Sequence, residues 1–599
     1  MKKTFYNIPA TRLLPSRWDL FALFFVLSVL LIIAWACANL GGSINYRDIH
    51  SLTPYQTLPI NLWDLPRYAA DTTIRMFIAL FCSLIFSLIV GALAAKNKRA
   101  ERIIIPVIDI LQSIPILGFL AITVTGFLAL FPHSLWGAQL AVIFGIFTAQ
   151  AWNIVLSFYQ SLKTIPKELN EAADMYQLSG WQRFWKLEVP FSMPGLIWNT
   201  MMSMSASWFM IVASEAIVVN FSRTTSITVN LPGIGSFIDQ ANNEKNFTAI
   251  GAAILVMMIV IILYDQLIFR PIVAWSEKFV ISDIQENRAD SWFLKLLQRS
   301  NLLKASSYFI ALQANKIVNI GWLKKDLRKN YNQDGHLKTA KKPSRIQTTI
   351  WQLCIVLSAV LLIYLISKFI YLNKTDPISF GETLQVFGDG LVTALRVLVL
   401  IMISSIIWVP IGIWIGLRPK VAEKVQPYAQ IFAAFPVNVL YGLFGTIVIA
   451  FDLNFNLWCI VLMALGTQWY ILFNVIAGAS AIPYELKMAA KNMQLKRMIR
   501  WVKFLFPAVM PFYVTGAITA AGGAWNASIV CEYVNWGKDS ILVATGIGAY
   551  ISKQYHTPGN HTANIVLGVV IMCLLVVLTN KLFWRRLYHY AENRFSMNL

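Results

Sequence analysis

Four ionisable side chains interrupt long apolar stretches of this sequence. Their charges and their regular spacing suit the binding of a polar group or the formation of ion pairs between helices. Arg75 and Glu215 lie in the amino-terminal part, and Arg396 and Glu532 occupy the matching places 321 and 317 residues later. A charged group at the centre of an apolar segment costs about 2.5–3.5 kcal/mol to insert into a membrane. Residues kept at such a cost are candidates for binding a polar solute or for pairing helices with one another.

Two interpretations of these side chains stay open. Each glutamate follows a tryptophan by seven residues, which puts both side chains on one helical face two turns apart. If these faces meet between two halves of the molecule, they line a path for a solute. Otherwise each glutamate caps a neighbouring helix or pairs with an arginine. The path candidates are Arg75, Trp208, Glu215, Arg396, Trp525 and Glu532.

The composition of the chain predicts which kind of secondary structure contains these residues. The chain is 57% hydrophobic and only 13% charged, whereas about a quarter of the residues in a soluble domain are charged. The apolar stretches are about 20 residues long, enough to cross about 30 Å of hydrocarbon as a helix. No alternating pattern indicates a barrel, so we predict an all-α integral membrane protein with about twelve transmembrane helices. The predicted spans lie near 18–40, 68–95, 107–131, 136–159, 195–219, 247–269, 350–372, 388–417, 428–451, 456–478, 509–533 and 562–584.

A polar segment occurs twice between these spans. Residues 165–194 and 482–511 align without a gap at an offset of 317 residues, with matched proline, glutamate, Ala-Ala, glutamine and arginine positions. The similarity continues into the spans, where Thr72-Thr73-Ile74-Arg75 matches Thr393-Ala394-Leu395-Arg396. Six spans per half is an even number, so both halves enter the membrane in the same direction. The sequence therefore predicts two parallel six-helix repeats from one duplicated half.

The positive charges gather in alternate loops. The net charge is +21, and lysine and arginine cluster at the amino terminus, at 96–102, in both copies of the polar segment and at 295–345. Under the positive-inside rule these loops and both termini are cytoplasmic, in a multi-pass protein. Because the charge belongs to loops that flank the membrane, we expect contact with membrane lipid and no nucleic-acid partner.

The repeated segment resembles a known motif. It is similar to the E-A-A…G…LP coupling loop in permease subunits of binding-protein-dependent ABC importers, of the nitrate/sulfonate/taurine-type branch. The positions that match in register are Glu171-Ala172-Ala173, Trp181-Gln182, Phe184, Val189-Pro190 and Met193-Pro194. The resemblance implies the type I importer permease fold, with two permease halves fused in one chain of a bacterial inner membrane.

The same resemblance implies partners and a substrate class. Two ABC ATPase subunits would dock on the cytoplasmic side and hold ATP and Mg. An external solute-binding protein would deliver a small solute, and sulfonates, taurine or nitrate are the anions that the family suggests. The chain would form the translocation path.

On this resemblance, residues 162–190 and 479–507 are the coupling loops. The docking positions carried over are Pro166, Glu168, Glu171, Ala172, Ala173, Gln177 and Pro190, and Pro483, Glu485, Met488, Ala489, Ala490, Gln494 and Pro507. Gln177 and Gln494 replace the glycine of the motif. Since only glycine adopts φ > 0 without cost, we expect the turn to be rebuilt. Met488 stands where Glu171 stands in the first copy, so we expect unequal contacts with the partners.

The sequence lacks the motifs of an enzyme. It has no phosphate-binding G-x-x-x-x-G-K-[ST] segment, and its six cysteines and six histidines show no metal-ligand spacing. We expect no catalytic residue, no metal site and no cofactor held by this chain. ATP hydrolysis is expected on the partner subunits.

We predict a first permease half over 1–280, a basic linker over 281–349 and a second permease half over 350–599. The composition of the linker favours helices lying on an anionic membrane surface. A self-contained secondary transporter or channel with internal repeats is the alternative function. Such proteins more often have inverted repeats and have no use for two equivalent docking loops.

Overall fold

A computed structural model of the 599-residue chain shows a bundle of long helices. It describes residues 60–113, 136–220, 226–279, 291–319, 378–480, 484–494, 496–536, 540–557 and 561–595, with some single positions between them. Helices and strands are numbered in chain order within these ranges. The predicted spans 18–40 and 350–372 lie almost wholly outside the described residues, and the span 107–131 lies outside them in part.

The described part of the first half contains nine helices and one β-hairpin. The helices are α1 (Leu65–Lys96), α2 (Lys98–Ser113), α3 (Trp136–Lys163), α4 (Lys167–Met175), α5 (Gly180–Arg183), α6 (Val189–Ser214), α7 (Ile234–Asn243), α8 (Phe247–Tyr264) and α9 (Arg270–Ser276). Strands β1 (Ala216–Asn220) and β2 (Ser226–Asn230) pair antiparallel between α6 and α7. Asn246 caps α8 by accepting a hydrogen bond from the Ala249 amide at 3.1 Å.

Two helices of the linker are described, α10 (Trp292–Arg299) and α11 (Asn301–Val318). Both expose large apolar side chains, including Trp292, 57% exposed, and Phe309, 62% exposed. Exposed aromatic side chains on basic helices suit a surface lying at the membrane interface.

The second half repeats the order of the first. Its helices are α12 (Phe380–Gly416), α13 (Pro419–Ala434), α14 (Tyr441–Ala450), α15 (Phe455–Ser480), α16 (Tyr484–Asn492), α17 (Arg497–Arg500), α18 (Phe506–Cys531), α19 (Ile547–His556), α20 (Thr562–Thr579) and α21 (Arg585–Phe595). Strands β3 (Tyr533–Trp536) and β4 (Ser540–Val543) form the second hairpin. Short π-helical segments precede α6 and α18 and follow α8 and α20, at matching places in the two halves.

The all-α membrane fold with two repeats is confirmed. Among the described residues eight helices are long and apolar enough to cross a membrane, and a bent pair would make a ninth. The number of twelve stays a prediction. The span predicted at 428–451 corresponds to this bent pair, in which the chain turns by 68° between Tyr428–Ala434 and Val437–Ala450. Pro436 lies at the bend and lacks the N–H that would continue the helix.

The two hairpins were not predicted. The sequence predicted a span to residue 219 and loops at 220–246 and 534–561, whereas α6 ends at Ser214 and a strand begins at Ala216. In each half the hairpin leads to a short helix, α7 or α19, which packs back against the bundle. The hairpins therefore change the direction of the chain at one end of both halves.

Each half is built around one central helix. α3 packs against α1 and α6, and α15 packs against α12 and α18. The halves contact each other through α6 with α13 and through α7 with β3. Below, the loop side is the end of the bundle that carries α4 and α16, and the hairpin side is the end that carries the hairpins.

Candidate translocation path and docking loops

The first predicted coupling loop forms a short helical hairpin on the loop side. α4 begins directly after Pro166. α5 leads through a π-helical segment into α6, and Pro190 is the second residue of α6. Pro166, Glu168, Glu171 and Gln177 are exposed, Ala172 is half-buried and Ala173 is buried. One face of α4 thus rests on the protein while the opposite face is open to a partner.

The second predicted coupling loop has the same outline. Met488 is 37% exposed, Ala489 and Gln494 are exposed, and Ala490 is buried like Ala173. Pro507 lies near the start of α18, as Pro190 does in α6. Pro483 and the side chain of Glu485 lie outside the described residues.

The turn between the two short helices keeps a left-handed residue in both loops. Gln177 has a φ of 49° and Gln494 a φ of 47°. The expectation that glutamine would force the turn to be rebuilt is wrong. In the first loop the Leu178 amide donates to the Ala173 carbonyl at 3.1 Å, the contact that closes a helix end around a left-handed residue. This hydrogen bond stabilises the left-handed conformation of Gln177.

Arg183 braces the first loop. Its guanidinium donates to the Asp174 carboxylate at 3.1 Å and to the Asn170 side chain at 2.6 Å, and it lies 3.8 Å from the Glu188 carboxylate. Ser179 and Gln182 cap α5 reciprocally, each side chain accepting from the other's backbone amide. The loop is therefore held together by its own side chains.

Arg500 occupies the same place in the second loop without the same bracing. The sequence places Lys487, Lys491 and Leu505 where Asn170, Asp174 and Glu188 stand in the first half. Among the described residues Arg500 Nε is buried and has no hydrogen-bond partner. Burial also lowers the pKa of Lys487. The second loop thus carries lysine at two of the three positions where the first carries acceptors.

The linker contacts the first loop. Gln182 Nε2 donates to Asn319 Oδ1 at 3.0 Å, just beyond the end of α11, and Lys186 Nζ lies 3.5 Å from the same oxygen. This hydrogen bond places the end of α11, within the basic linker, beside the first predicted coupling loop.

The in-membrane charges form a buried ion pair in the first half. Arg75 Nη1 donates to Glu215 Oε1 at 2.6 Å, and Thr72 donates to the same oxygen at 2.8 Å. The other carboxylate oxygen accepts from the Gly235 amide at 2.7 Å, at the start of α7. Arg75 also donates to Gln139 at 2.6 Å and to a carbonyl of the loop before α7 at 2.7 Å. This network ties α1, α3, α6 and α7 together.

The second half repeats this network. Arg396 Nη1 and Thr393 both donate to Glu532 Oε1. Glu532 Oε2 accepts from the Ala549 amide at 3.2 Å, near the start of α19. Asn456 replaces Gln139 and accepts from Arg396 at 3.3 Å. The glutamates cap the short helices and pair with the arginines, as the second sequence interpretation proposed.

A repeated Gly-Ile-Gly segment, which was not among the predicted functional residues, makes this close approach of the glutamate to the short helix possible. Gly233-Ile234-Gly235 and Gly546-Ile547-Gly548 each precede or begin the short helix. A Cβ on Gly233 would overlap the Glu215 carboxylate, and one on Gly546 would overlap that of Glu532. Recurrence of this tripeptide after both hairpins was the signal that could have revealed the contact.

Three cavities lie in a row between the two halves. α6 lines the loop-side cavity (about 260 Å³) at Asn199, the middle cavity (about 150 Å³) at Phe209 and the hairpin-side cavity (about 200 Å³) at Val212. α18 lines the same cavities, in the same order, at Thr515, Asn526 and Val530. Both helices therefore run in the same direction past one row of cavities.

The predicted path residues lie mostly beside this row. Trp525 lines the loop-side cavity, and the other five candidates line none of the three. Trp208 is fully buried and donates to the Tyr264 hydroxyl at 3.1 Å. The arginines and glutamates face their own half. A role for them on the path stays a prediction.

The middle cavity has a neutral, aromatic lining. Trp152 and Trp469, which are 317 residues apart and so occupy matching places in the repeats, both line it, with Asn153 and Tyr470 beside them. Trp152 Nε1 is buried and has no acceptor in the part of the chain that the structure describes. The lining of this cavity and of the loop-side cavity contains no Asp, Glu, Lys or Arg among the described residues.

Comparison with known protein families identifies the family to which this chain belongs. The family model described as "Binding-protein-dependent transport system inner membrane component" matches twice, at residues 83–270 and 408–596. The chain belongs to this family. The two matches cover the same part of each repeat, including both docking loops, so the recognition of a fused ABC permease is confirmed.

Curated relatives agree with this assignment. A nitrate import permease of Leptolyngbya laminosa is 25% identical over 187 residues, and a bicarbonate transport system permease of Synechococcus elongatus is 23% identical over 200 residues. These matches cover 31% and 33% of this chain and 62% and 64% of the relatives, less than two thirds of their length. A trimethylamine N-oxide transport system permease of Pelagibacter ubique is 24% identical over 576 residues, covering 89% of this chain and 73% of that protein.

Proposed function

We propose that this chain forms the complete translocation path of an ATP-driven importer for a small polar solute. The observation that carries the proposal is the joint geometry of the halves. Two exposed docking loops lie at one end of two parallel halves, and a row of cavities runs between those halves. A single copy therefore supplies both the path and two docking surfaces.

ATP hydrolysis belongs, in this proposal, to two separate ATPase subunits that dock at the two loops in the cytoplasm. The hairpin side then faces outward, where a solute-binding protein delivers the solute, and both termini are cytoplasmic. The distribution of basic loops supports this orientation in a bacterial inner membrane.

The structure suggests how docking would move the path. α6 and α18 begin directly after the docking loops and line all three cavities. A displacement of either loop is therefore passed along one continuous helix to the walls of the path. The buried Arg–Glu networks would keep each half rigid while the two halves move apart.

Uptake by the reconstituted complex tests this function. Proteoliposomes containing the chain, its ATPase subunits and its binding protein should accumulate solute only with ATP. Glu171→Ala should reduce ATP-coupled uptake, because it removes a contact of about 1.5–3 kcal/mol to a basic partner group, while Met488→Ala should change it little. Uptake driven by an ion gradient without ATP would instead favour the secondary transporter.

A further inference from the structure

The hairpin-side cavity is lined by polar groups from both halves. The first half contributes Asp239 and Asn242 of α7, and the second half contributes Asn438 and His556. Its volume of about 200 Å³ exceeds the roughly 150 Å³ that admits a benzene-sized ligand. The cavity is thus large enough for a small organic solute.

The polar groups of this cavity are hydrogen-bond acceptors without matching donors. Asn242 Oδ1 and Asn438 Oδ1 are buried and accept no hydrogen bond from the described part of the chain. The Asp239 carboxylate accepts one long hydrogen bond, from Asn243 at 3.4 Å. Unmatched buried acceptors cost about 1–3 kcal/mol each, so a bound donor would relieve this cost.

The remaining groups add no positive charge. His556 Nδ1 lies 2.8 Å from the Ser552 carbonyl, which can only accept, so Nδ1 carries the proton and Nε2 of the neutral ring is a further acceptor. Among the described residues that line the cavity there is no lysine or arginine. The field inside is therefore negative.

An aromatic wall completes the site. The His556 ring stacks on Tyr533 at 5.2 Å between centroids and meets Tyr555 edge-on at 5.3 Å. Aromatic faces attract cations, and they tolerate methyl groups that a shell of carboxylates would not. Asn438 also donates to the Phe209 carbonyl at 3.2 Å, which joins this site to the middle cavity.

We propose that the hairpin-side cavity is the outer recognition site of the path and binds the ammonium or methylated ammonium group of the solute. The proposal rests on the proposed function and narrows its substrate class to amines and zwitterions. A bare inorganic anion would meet Asp239 and several acceptor atoms in this cavity, followed by an uncharged middle cavity. The binding geometry therefore disfavours the anion that the family resemblance implies.

Binding to the full chain in nanodiscs, without ATPase subunits, tests this inference. The probes are methylammonium, tetramethylammonium and nitrate, measured by titration calorimetry at pH 7.5. Methylammonium should bind wild type at least tenfold more tightly than it binds Asp239→Asn, and Asn242→Leu should weaken it about threefold. Asp239→Asn removes a half-buried and poorly paired charge and should fold normally. The control variant is Glu244→Gln, which neutralises an exposed carboxylate directly after α7. This variant should bind methylammonium as tightly as wild type.

The acidity of Asp239 provides a second readout. Burial raises the pKa of Asp239 to about 6. Methylammonium affinity should therefore fall as the pH drops from 7.5 through 6, and Asp239→Asn should abolish that dependence. Besides the tyrosines, His556 is the other titratable group of this lining, and burial lowers its pKa, so the measurement is repeated in His556→Gln.

The outcomes separate this inference from the proposed function. Nitrate binding that equals or exceeds methylammonium binding, equal methylammonium affinity in wild type and Asp239→Asn, or no binding of either cation would overturn the recognition site. Each of those results leaves ATP-coupled uptake untouched. Failure of uptake with intact cation binding would instead contradict the importer function.

Discussion

The two halves match closely in their buried ion pairs and differ in their docking loops. The Arg75–Glu215 and Arg396–Glu532 pairs have the same surroundings. In both, a threonine donates to the glutamate, a side-chain amide accepts from the arginine, and the glutamate caps a short helix. The docking loops share a backbone, including the left-handed glutamine, but only the first is braced by carboxylate contacts to its arginine among the described residues. The contacts that hold each half together are alike, whereas the contacts within the exposed loops differ.

Comparison of the two loops indicates which contacts determine the backbone conformation of the loop. Because both loops have the same turn and the same π-helical segment, the contacts of Arg183 with Asp174 and Glu188 are not required for that backbone. Those contacts instead stiffen one loop within the chain. In the second loop Arg500 is half-buried and its Nε has no hydrogen-bond partner among the described residues, so in the proposed complex the rest of its guanidinium would be left for an acceptor on an ATPase subunit.

The largest expected effect comes from breaking the matched ion pairs. Glu215→Gln and Glu532→Gln should each lower stability by about 3–5 kcal/mol, because a buried arginine is left without its counter-charge. Thermal unfolding followed by size-exclusion chromatography measures this, with Glu244→Gln as the neutral control. Similar losses in both halves are expected. Unchanged stability with lost coupling of ATP hydrolysis to uptake would place these glutamates on the path.

A smaller effect should separate the two docking loops. Arg183→Ala removes contacts that are partly exposed and screened, worth about 1 kcal/mol, so amide exchange across α4 should rise about fivefold. Arg500→Ala should leave exchange across α16 unchanged in the isolated chain, and it should weaken docking of the ATPase subunit at that loop. Equal changes in hydrogen exchange in both loops would show that the asymmetry of the contacts has no energetic consequence.

The smallest effect concerns the shared turn. Gln177→Gly and Gln494→Gly remove the strain of a left-handed side chain but add disorder to the unfolded chain, so each should raise stability by less than about 1 kcal/mol. Gln177→Val and Gln494→Val should destabilise, because a branched side chain fits this conformation poorly. Thermal unfolding of the four variants checks the sign. A loss of stability with glycine in one loop alone would show that the two turns are not equivalent.

The sequence predicted the repeat and the membrane-spanning helices and singled out the four charges within them, because apolar length and misplaced charge are local signals. It left the partners of those charges open, since pairing depends on how α1, α6 and α7 meet in space. The Gly-Ile-Gly segments were visible as letters, but their role depends on a carboxylate that lies 18 residues earlier in the first half and approaches only after a hairpin.

Other features of the structure depend on contacts between distant residues or on hydrogen bonds that override the conformational preference of a single residue. Five-residue strands between polar turns are too short to be distinguished from loops by periodicity. Glutamine disfavours a left-handed turn, yet hydrogen bonds at the end of α4 hold Gln177 there. The tryptophans Trp152 and Trp469 recur at the repeat offset, but nothing in that spacing shows that both line one cavity.

In the proposed complex, one copy of this chain supplies a whole path and two unequal docking loops. Native mass spectrometry of the complete complex in nanodiscs tests it most directly. We predict one copy of this chain with two ATPase subunits, and loss of one ATPase subunit when either docking loop is replaced by a glycine-serine linker. Two copies of this chain in a complex, or a single ATPase subunit on the intact chain, would contradict the account.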